Sequence, residues 1–204
     1  MAYADIEPTH TLSIDIETRC SVDIGKYGVY KYVDGEDFDV LWFSYSLDKA
    51  PVVRLDLTTQ ELPRKIAIML DNNAYQKIAF NAQFERTALT VYLRRLGYIG
   101  SAAWLSAKEW RDTMVEAREM GLPSSLKYCA MYLGVEMQKD TRGVSLINFF
   151  SKPTKDGTFR QPADDPEKWE LFGSYNEQDV RVEKPSLTSC QLTPCPSPSG
   201  IYGH

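Results

Sequence analysis

Residues 11–18 read Thr-Leu-Ser-Ile-Asp-Ile-Glu-Thr, and this stretch decides the expected fold. Every second residue from Leu12 to Ile16 is apolar, an alternation that predicts a β-strand with one face in the core. Asp15 and Glu17 stand two positions apart, so the pleat of the strand places both carboxylates on one face of the sheet. Two like charges this close repel, and burying them is costly unless a cation lies between them. A solvated strand edge would show the same spacing, so this pair alone favours a metal site only weakly.

A second acidic segment follows a short apolar strand predicted at residues 77–80. Asn81 is a favourable N-cap residue, and the helix that it is predicted to begin ends at Gly97. Glu85 lies four residues after Asn81, so the two side chains are neighbours on that helix. A plain capped helix with a surface glutamate fits this segment better when it is taken by itself.

A third segment lies in a helix predicted from about Pro166 to Glu183. Tyr175 and Asp179 share one face of this helix, and that face is otherwise mainly apolar. An aspartate on such a face requires a partner, because an isolated buried charge is costly. The three segments together indicate a functional site more strongly than any one of them does alone.

The rest of the chain predicts a mixed β-sheet with helices packed against it. Its predicted elements are a β-hairpin and three helices, at residues 40–47 with 51–57, 60–70, 113–120 and 124–133. Residues 139–162 are polar and are expected to form a loop with one apolar patch at 146–150. We expect a single domain over residues 1–184. Residues 185–204 are rich in Ser, Thr and Pro and are expected to be a disordered or non-native tail.

The composition of the 204 residues, 43% hydrophobic and 25% charged, is typical of one α/β domain. A net charge of −5 excludes a generic basic nucleic-acid-binding protein. No apolar run reaches the roughly 20 residues of a membrane span, and the N-terminal residues do not resemble a secretory signal. The four cysteines show no zinc-ligand spacing, which favours reduced thiols and a cytoplasmic location in a bacterium or a phage-infected host cell.

Taken in order, the three acidic segments resemble the 3′→5′ exonuclease domains of the DnaQ-like superfamily, in the branch attached to family A (DNA polymerase I-like) polymerases of phage type. Asp15-Ile16-Glu17-Thr18 matches the first exonuclease motif, Asn81-x-x-Phe84-Glu85 the second and Tyr175-x-x-x-Asp179 the third. A tyrosine four residues before the last aspartate, in place of a histidine five before it, indicates the tyrosine (DEDDy) branch. Glu85 departs from the pattern, because the second motif usually ends in Asp.

The resemblance implies an α/β fold with an RNase H-like mixed central sheet flanked by helices. It also implies two divalent cations, Mg²⁺ or Mn²⁺, with oxygen ligands of the kind that hard cations prefer. Asp15 would bridge both cations, Glu17 and Asp179 would complete the tighter site, and Glu85 would support the looser one. Tyr175 would hydrogen-bond and orient the attacking water.

By the same resemblance, the substrate is the 3′ end of single-stranded DNA, and a DNA polymerase module in cis or in trans is the expected partner. Four further residues are expected to contact the DNA: Thr18, Asn81, Phe84 and Arg142. Arg142 lies in a basic segment, residues 136–160, that precedes an acidic one, and this arrangement suits a phosphodiester substrate led to a metal site. Two differently charged solvated faces explain the same charges at least as well. No membrane contact is expected.

Three functions remain open on the sequence. The first is a proofreading exonuclease of a DNA polymerase, and the second is an RNA-trimming exonuclease of the same superfamily. The third is a catalytically weak or silent module that binds DNA or supports a polymerase, and it stays open because Glu85 replaces the usual aspartate. The carboxylates do not separate DNA from RNA, whereas residues 112–126 favour DNA by their resemblance to phage polymerases.

Overall fold

The structure is a computed structural model that describes residues 7–132, Gly134 and residues 143–188. Its centre is a five-stranded sheet of β1 (His10–Arg19), β2 (Asp39–Leu47), β3 (Val53–Asp56), β4 (Tyr75–Ala79) and β5 (Trp110–Asp112). Across the sheet the strands follow the order β3-β2-β1-β4-β5. β2 is antiparallel to both β1 and β3, while β4 is parallel to both β1 and β5. This mixed sheet confirms the predicted α/β, RNase H-like fold.

Helices cover both faces of the sheet. In the described residues they are α1 (Ile24–Val33), α2 (Arg64–Leu70), α3 (Ala82–Arg95), α4 (Thr113–Glu119), α5 (Leu126–Tyr132), α6 (Gly143–Phe150) and α7 (Pro166–Thr188). The long helix α7 packs across β1, β2 and β3, so the central strand has no solvated face. None of these helices has the length and apolar character that crossing a bilayer requires.

The two faces of β1 meet different parts of the core. Leu12 and Ile14 are fully buried in a cluster that α2 and α3 complete. The opposite face, which carries Asp15, meets α7. Gly173 allows α7 to approach the sheet closely, because a Cβ at this position would lie 2.8 Å from the ring of Trp42 on β2. Glu17 is buried and Asp15 is half-buried, so the acidic residues of β1 do not lie at a solvated edge.

Two stretches differ from the predicted elements. The prediction of a loop over residues 139–162 is wrong for residues 143–150, which form α6. The patch is helical because Leu146 and Phe150 pack into an apolar cluster beneath α7, a tertiary contact that local polarity does not indicate. α2 begins at Arg64 rather than at residue 60, because Pro63 precedes it with an extended backbone.

Three elements have bounds that the sequence did not indicate. α1 is absent from the predicted elements because it is short and is interrupted at Gly28, which has φ +76°. Asp23 caps α1 by accepting hydrogen bonds from the backbone N–H groups of Gly25 and Lys26. β5 was also not predicted, since three residues carry too little periodicity. α7 continues to Thr188, beyond the predicted domain end, and residues 189–204 of the predicted tail lie outside the described residues.

Candidate active site

β1 places two acidic side chains on the face that meets α7. Asp15 pairs with Ser44 of β2, and Glu17 pairs with Trp42, after which the register of the two strands shifts. Glu17 is only 8% exposed, although a glutamate is rarely buried without a partner. The period of the strand thus holds both carboxylates on one face of the sheet.

α7 brings Tyr175 and Asp179 to the same place. The hydroxyl of Tyr175 donates a hydrogen bond to the carboxylate of Asp179. Burial first, and then the charges of Asp179, Glu17 and Asp15, raise the pKa of Tyr175 well above its usual value. The hydroxyl therefore keeps its proton at neutral pH, so it can donate a hydrogen bond but cannot serve as a general base.

Glu85 reaches the site from the first turn of α3, which follows β4. It is 4% exposed, and its Oε2 atom is buried without a hydrogen-bond partner in the described residues. Burial raises its pKa well above the usual value, with further contributions from the charges of Glu183, Asp112 and Glu17. An unpartnered buried carboxylate oxygen is costly, and a cation beside it would offset this cost.

The four predicted carboxylates influence one another strongly. Burial, and after it the charges of Asp179, Glu17 and Glu85, raise the pKa of Asp15 well above its usual value. Burial and then Asp179 raise the pKa of Glu17. Burial raises the pKa of Asp179 to about 7, although the hydrogen bond from Tyr175 opposes this shift. The structure therefore brings together all four acids from β1, α3 and α7.

This donor set fits hard divalent cations, which prefer carboxylate oxygens to nitrogen or sulfur ligands. As the side chains stand, no three acidic, histidine or cysteine residues in the described part of the chain converge closely enough to hold one metal ion. Asp15 accepts a hydrogen bond from Asn176, and Asp179 accepts one from Tyr175. Metal binding would therefore require Glu17, Glu85 or Asp179 to move towards Asp15.

Two functional candidates were missed from the sequence, and both lie on α7. One stripe of this helix is buried and includes Phe172, Asn176, Val180 and Glu183. Asn176 donates a hydrogen bond from Nδ2 to Asp15 Oδ2 at 2.5 Å. Glu183 lies one turn after Asp179 and accepts a hydrogen bond from the Thr113 hydroxyl at 2.5 Å, and burial raises its pKa to about 8. The spacing of polar residues along the apolar stripe could have identified both.

Three of the four predicted DNA contacts are Thr18, Phe84 and Arg142. Thr18 is buried and its hydroxyl lies 2.9 Å from that of Tyr32. Phe84 is half-buried, with its ring centroid 6.2 Å from that of Tyr32, so it belongs partly to the core. Arg142 lies outside the described residues.

Asn81 does not cap α3 with its side chain, so the prediction of a side-chain cap is wrong. The residue has φ +79°, a left-handed conformation that asparagine tolerates better than most residues, and its side chain makes no capping bond. Its backbone N–H instead donates to Asp112 Oδ1 at 3.1 Å. Asp112 also accepts the N–H groups of Met114 and Val115, so this one carboxylate joins the starts of α3 and α4.

The first residue of α6 lies directly against the tyrosine of the site. A Cβ added to Gly143 would lie 2.4 Å from Cε2 of Tyr175 and 2.5 Å from its Cζ. No side chain fits in this space unless the tyrosine ring moves. Gly143 therefore helps to fix the position of the Tyr175 hydroxyl.

The fold and the site define a class, an α/β domain with a mixed five-stranded sheet and a carboxylate cluster across β1, α3 and α7. Over 181 residues the chain is 42% identical to the DNA polymerase of Bacillus phage SP02, with 85% of this chain covered. The chain spans 27% of that polymerase's length, so the likeness is to one domain. The chain is thus a homologue of a domain-sized part of a phage DNA polymerase, which confirms the resemblance to phage-type polymerases. Its assignment to the tyrosine branch stays a prediction.

Solved structures add a likeness of fold. A chain in the structure of the yeast NOT1 MIF4G domain co-crystallized with CAF1 matches with a TM-score of 0.50 and 11% identity, covering 93% of this chain and 82% of that one. The Aedes aegypti Nibbler EXO domain matches with a TM-score of 0.48 and 11% identity, covering 91% and 82%. At such low identity, the match to the chain from the NOT1–CAF1 structure supports the fold alone. No family model matches the chain.

Proposed function

We propose that this chain is a two-metal-ion 3′→5′ exonuclease domain that hydrolyses the 3′-terminal phosphodiester of single-stranded DNA. Its proposed role is proofreading for a family A DNA polymerase, in cis or in trans, in the cytoplasm of a bacterium or a phage-infected host cell. The buried carboxylate cluster carries the proposal, because four acids that burial and mutual repulsion destabilise have an evident use as cation ligands. The homology to a phage DNA polymerase supports DNA over RNA as the substrate.

Each residue of the cluster has a distinct proposed role. When bound, two divalent cations, Mg²⁺ or Mn²⁺, would stabilise charge on the attacking and leaving oxygens and activate the attacking water. Asp15 would hold both, Glu17 and Asp179 would complete the tighter site, and Glu85 would support the looser one. Tyr175 would direct its hydroxyl to the attacking water, since its raised pKa suits a donor rather than a base.

The substrate would approach along the side chains that surround the first motif. Phe84 is half-buried beside Tyr32, whose hydroxyl meets that of Thr18, and an exposed aromatic edge or face accepts stacked bases without regard to sequence. Asn81 is exposed at the start of α3, where its side chain is free to meet a backbone phosphate or sugar. Arg142 remains a proposed phosphate contact.

One assay tests the reaction, its direction and its substrate. Single-stranded DNA and RNA oligonucleotides, each labelled at the 5′ or the 3′ end, are incubated with the protein in Mg²⁺, Mn²⁺ or EDTA. We expect 3′-labelled DNA to release labelled mononucleotide at once and 5′-labelled DNA to shorten stepwise, in metal only. Release of labelled mononucleotide from the 5′ end would contradict the direction. Cleavage of RNA but not of DNA would contradict the proposed substrate. If neither is cleaved in any metal, the chain is a catalytically silent binding module.

Substitutions of Glu85 test whether this residue supports a fully active site or a weakened one. We expect Glu85→Asp to keep or raise the rate, because it restores the usual ligand length, and Glu85→Ala to lower it by about 10–100-fold, as for a ligand that acts through water. The rates are measured at saturating Mg²⁺ on 3′-labelled DNA. Gln83→Ala, an exposed substitution on the same turn of α3, should leave the rate unchanged. If Glu85→Ala matches the unmodified protein, the role assigned to Glu85 is wrong.

We expect Gly143 to affect kcat through the position of Tyr175. We expect Gly143→Ala to lower kcat by up to about 100-fold, because displacement of the tyrosine ring misplaces its hydroxyl relative to the attacking water. In a double-mutant cycle, Gly143→Ala should cost little further kcat once Tyr175→Phe has removed the hydroxyl. Equal losses of kcat in both backgrounds would mean that Gly143 acts on the fold alone.

A further inference from the structure

Asn176 occupies an unusual position for an asparagine. It is fully buried on the stripe of α7 that Phe172 and Val180 continue on either side, where an apolar residue would be expected. Its Nδ2 donates to Asp15 Oδ2, whereas its Oδ1 is buried without a hydrogen-bond partner in the described residues. A half-satisfied buried amide lowers stability, so ordinary core packing does not explain it.

The contact that Asn176 makes is directed at a single atom of the site. Asp15 lies on the central strand, between β2 and β4, and Asn176 reaches it from the helix that also carries Tyr175 and Asp179. An ionised carboxylate has about four lone-pair positions, so one N–H bond to Oδ2 leaves both oxygens able to accept further ligands. The bond fixes the rotation of the carboxylate group while leaving its capacity to bind cations.

We propose that Asn176 is a positioning residue that holds Asp15 in the orientation required to bridge the two cations. The inference rests on the proposed function, since it assigns a purpose to the orientation of a metal ligand. Groups that orient a ligand from behind commonly change metal affinity or activity about 10–100-fold when they are removed. Asn176 itself touches neither the cations nor the substrate.

The test measures metal binding directly as well as activity. The Kd of Mn²⁺ is measured by isothermal titration calorimetry for the unmodified chain, Asn176→Leu and Asn176→Ser. Leucine keeps the volume and removes the donor, and serine provides a second folded variant if leucine packs poorly. We expect both substitutions to weaken Mn²⁺ binding by about 10–100-fold, with the melting temperature of the metal-free Asn176→Leu protein unchanged or higher.

Activity gives a second readout that a purely structural role would not move. The Mn²⁺ concentration for half-maximal rate should rise by the same factor, with kcat largely recovered at saturating Mn²⁺. Thr87→Val is the matched control, because Thr87 is a fully buried polar residue whose hydrogen bond among the described residues goes to Gln83 O of its own helix. It should leave Mn²⁺ affinity unchanged.

The outcomes separate this inference from the proposal on which it rests. If the unmodified chain binds Mn²⁺ and Asn176→Leu and Asn176→Ser bind it equally well, Asn176 has no positioning role and the metal mechanism stands. If kcat falls at all Mn²⁺ concentrations without a shift of the midpoint, the residue acts on the fold rather than on Asp15. If the unmodified chain binds no Mn²⁺, the two-metal proposal and this inference fail together.

Discussion

Replacing Asp15 by Asn is expected to lower the rate of exonuclease hydrolysis by at least about 10³-fold, the largest loss expected of any single substitution. Metal-ion stabilisation of transition-state charge contributes several kcal/mol, and each 1.4 kcal/mol is worth about a factor of ten in rate. Asn is isosteric with Asp, and its carbonyl oxygen can still accept the hydrogen bond from Asn176 Nδ2. The measurement is single-turnover hydrolysis of 3′-labelled DNA at saturating Mg²⁺.

The same substitution should make the metal-free protein more stable at alkaline pH. Asp179 has a pKa raised to about 7 and Glu183 one raised to about 8, whereas unfolded carboxyl groups titrate near 4. The folded chain thus binds more protons than the unfolded chain between about pH 4 and pH 8, and the free energy of unfolding falls as pH rises through this window. Asp15→Asn removes one of the repelling acids.

We therefore expect the melting temperature of Asp15→Asn in EDTA to exceed that of the unmodified chain at pH 8 and to match it near pH 4. Addition of Mn²⁺ should raise the melting temperature of the unmodified chain at pH 8 and should have little effect on the variant. Loss of stability together with loss of activity would indicate that Asp15 is a structural residue instead. Glu36→Gln provides a control, because that carboxylate is exposed on the connection between α1 and β2.

The parts of the site that local periodicity encodes were predictable. Alternation along β1 predicts that Asp15 and Glu17 share a face, and helical spacing predicts the same of Tyr175 and Asp179. These relations hold because each depends on a single element. The buried cluster needs only one further fact, the parallel pairing of β1 with β4, which brings α3 and Glu85 to the same end of the sheet.

The parts that depend on contacts between distant elements were not predictable. Asparagine is a residue type typical of N-caps, yet Asn81 adopts a left-handed conformation. Its backbone N–H donates to Asp112, which lies 31 residues further along the chain. The apolar stripe of α7 marks Asn176 as a buried position, but it does not identify the partner of the side chain. The proximity of Asn176 to Asp15, 161 residues earlier, follows from the sheet order and not from any local pattern.

The site is therefore a junction of elements that are each held from outside it. Trp42 packs against Gly173, which brings α7 close to β2, and Asp112 joins the starts of α3 and α4. Thr113 then binds Glu183 near the end of α7. A substitution at any of these contacts can alter activity without removing a metal ligand. The position of β4 depends on a further contact of a less common kind.

That interaction is a buried ion pair, and we expect Glu109→Gln to lower the free energy of unfolding by about 3–5 kcal/mol, the largest stability effect of any substitution considered. Lys77 of β4 is fully buried, and its Nζ lies 2.5 Å from Glu109 Oε2 and 3.1 Å from Asn72 O. Burial lowers the pKa of Lys77, while the charge and hydrogen bond of Glu109 oppose this shift. Without the glutamate charge, the ammonium would be left unpaired in the interior.

Lys77→Met should cost much less, which makes the prediction asymmetric. Methionine removes the buried charge and fills its volume, whereas the side chain of Glu109 is 20% exposed and can be hydrated once it is alone. The double variant Lys77→Met/Glu109→Gln should accordingly be more stable than Glu109→Gln by itself. Urea denaturation at pH 7 measures all three, and activity at 20 °C or below should be retained in each folded variant because the pair lies outside the carboxylate cluster. Equal destabilisation by the two single substitutions would mean that the loss arises from packing at the β4–β5 edge rather than from an unpaired buried ammonium.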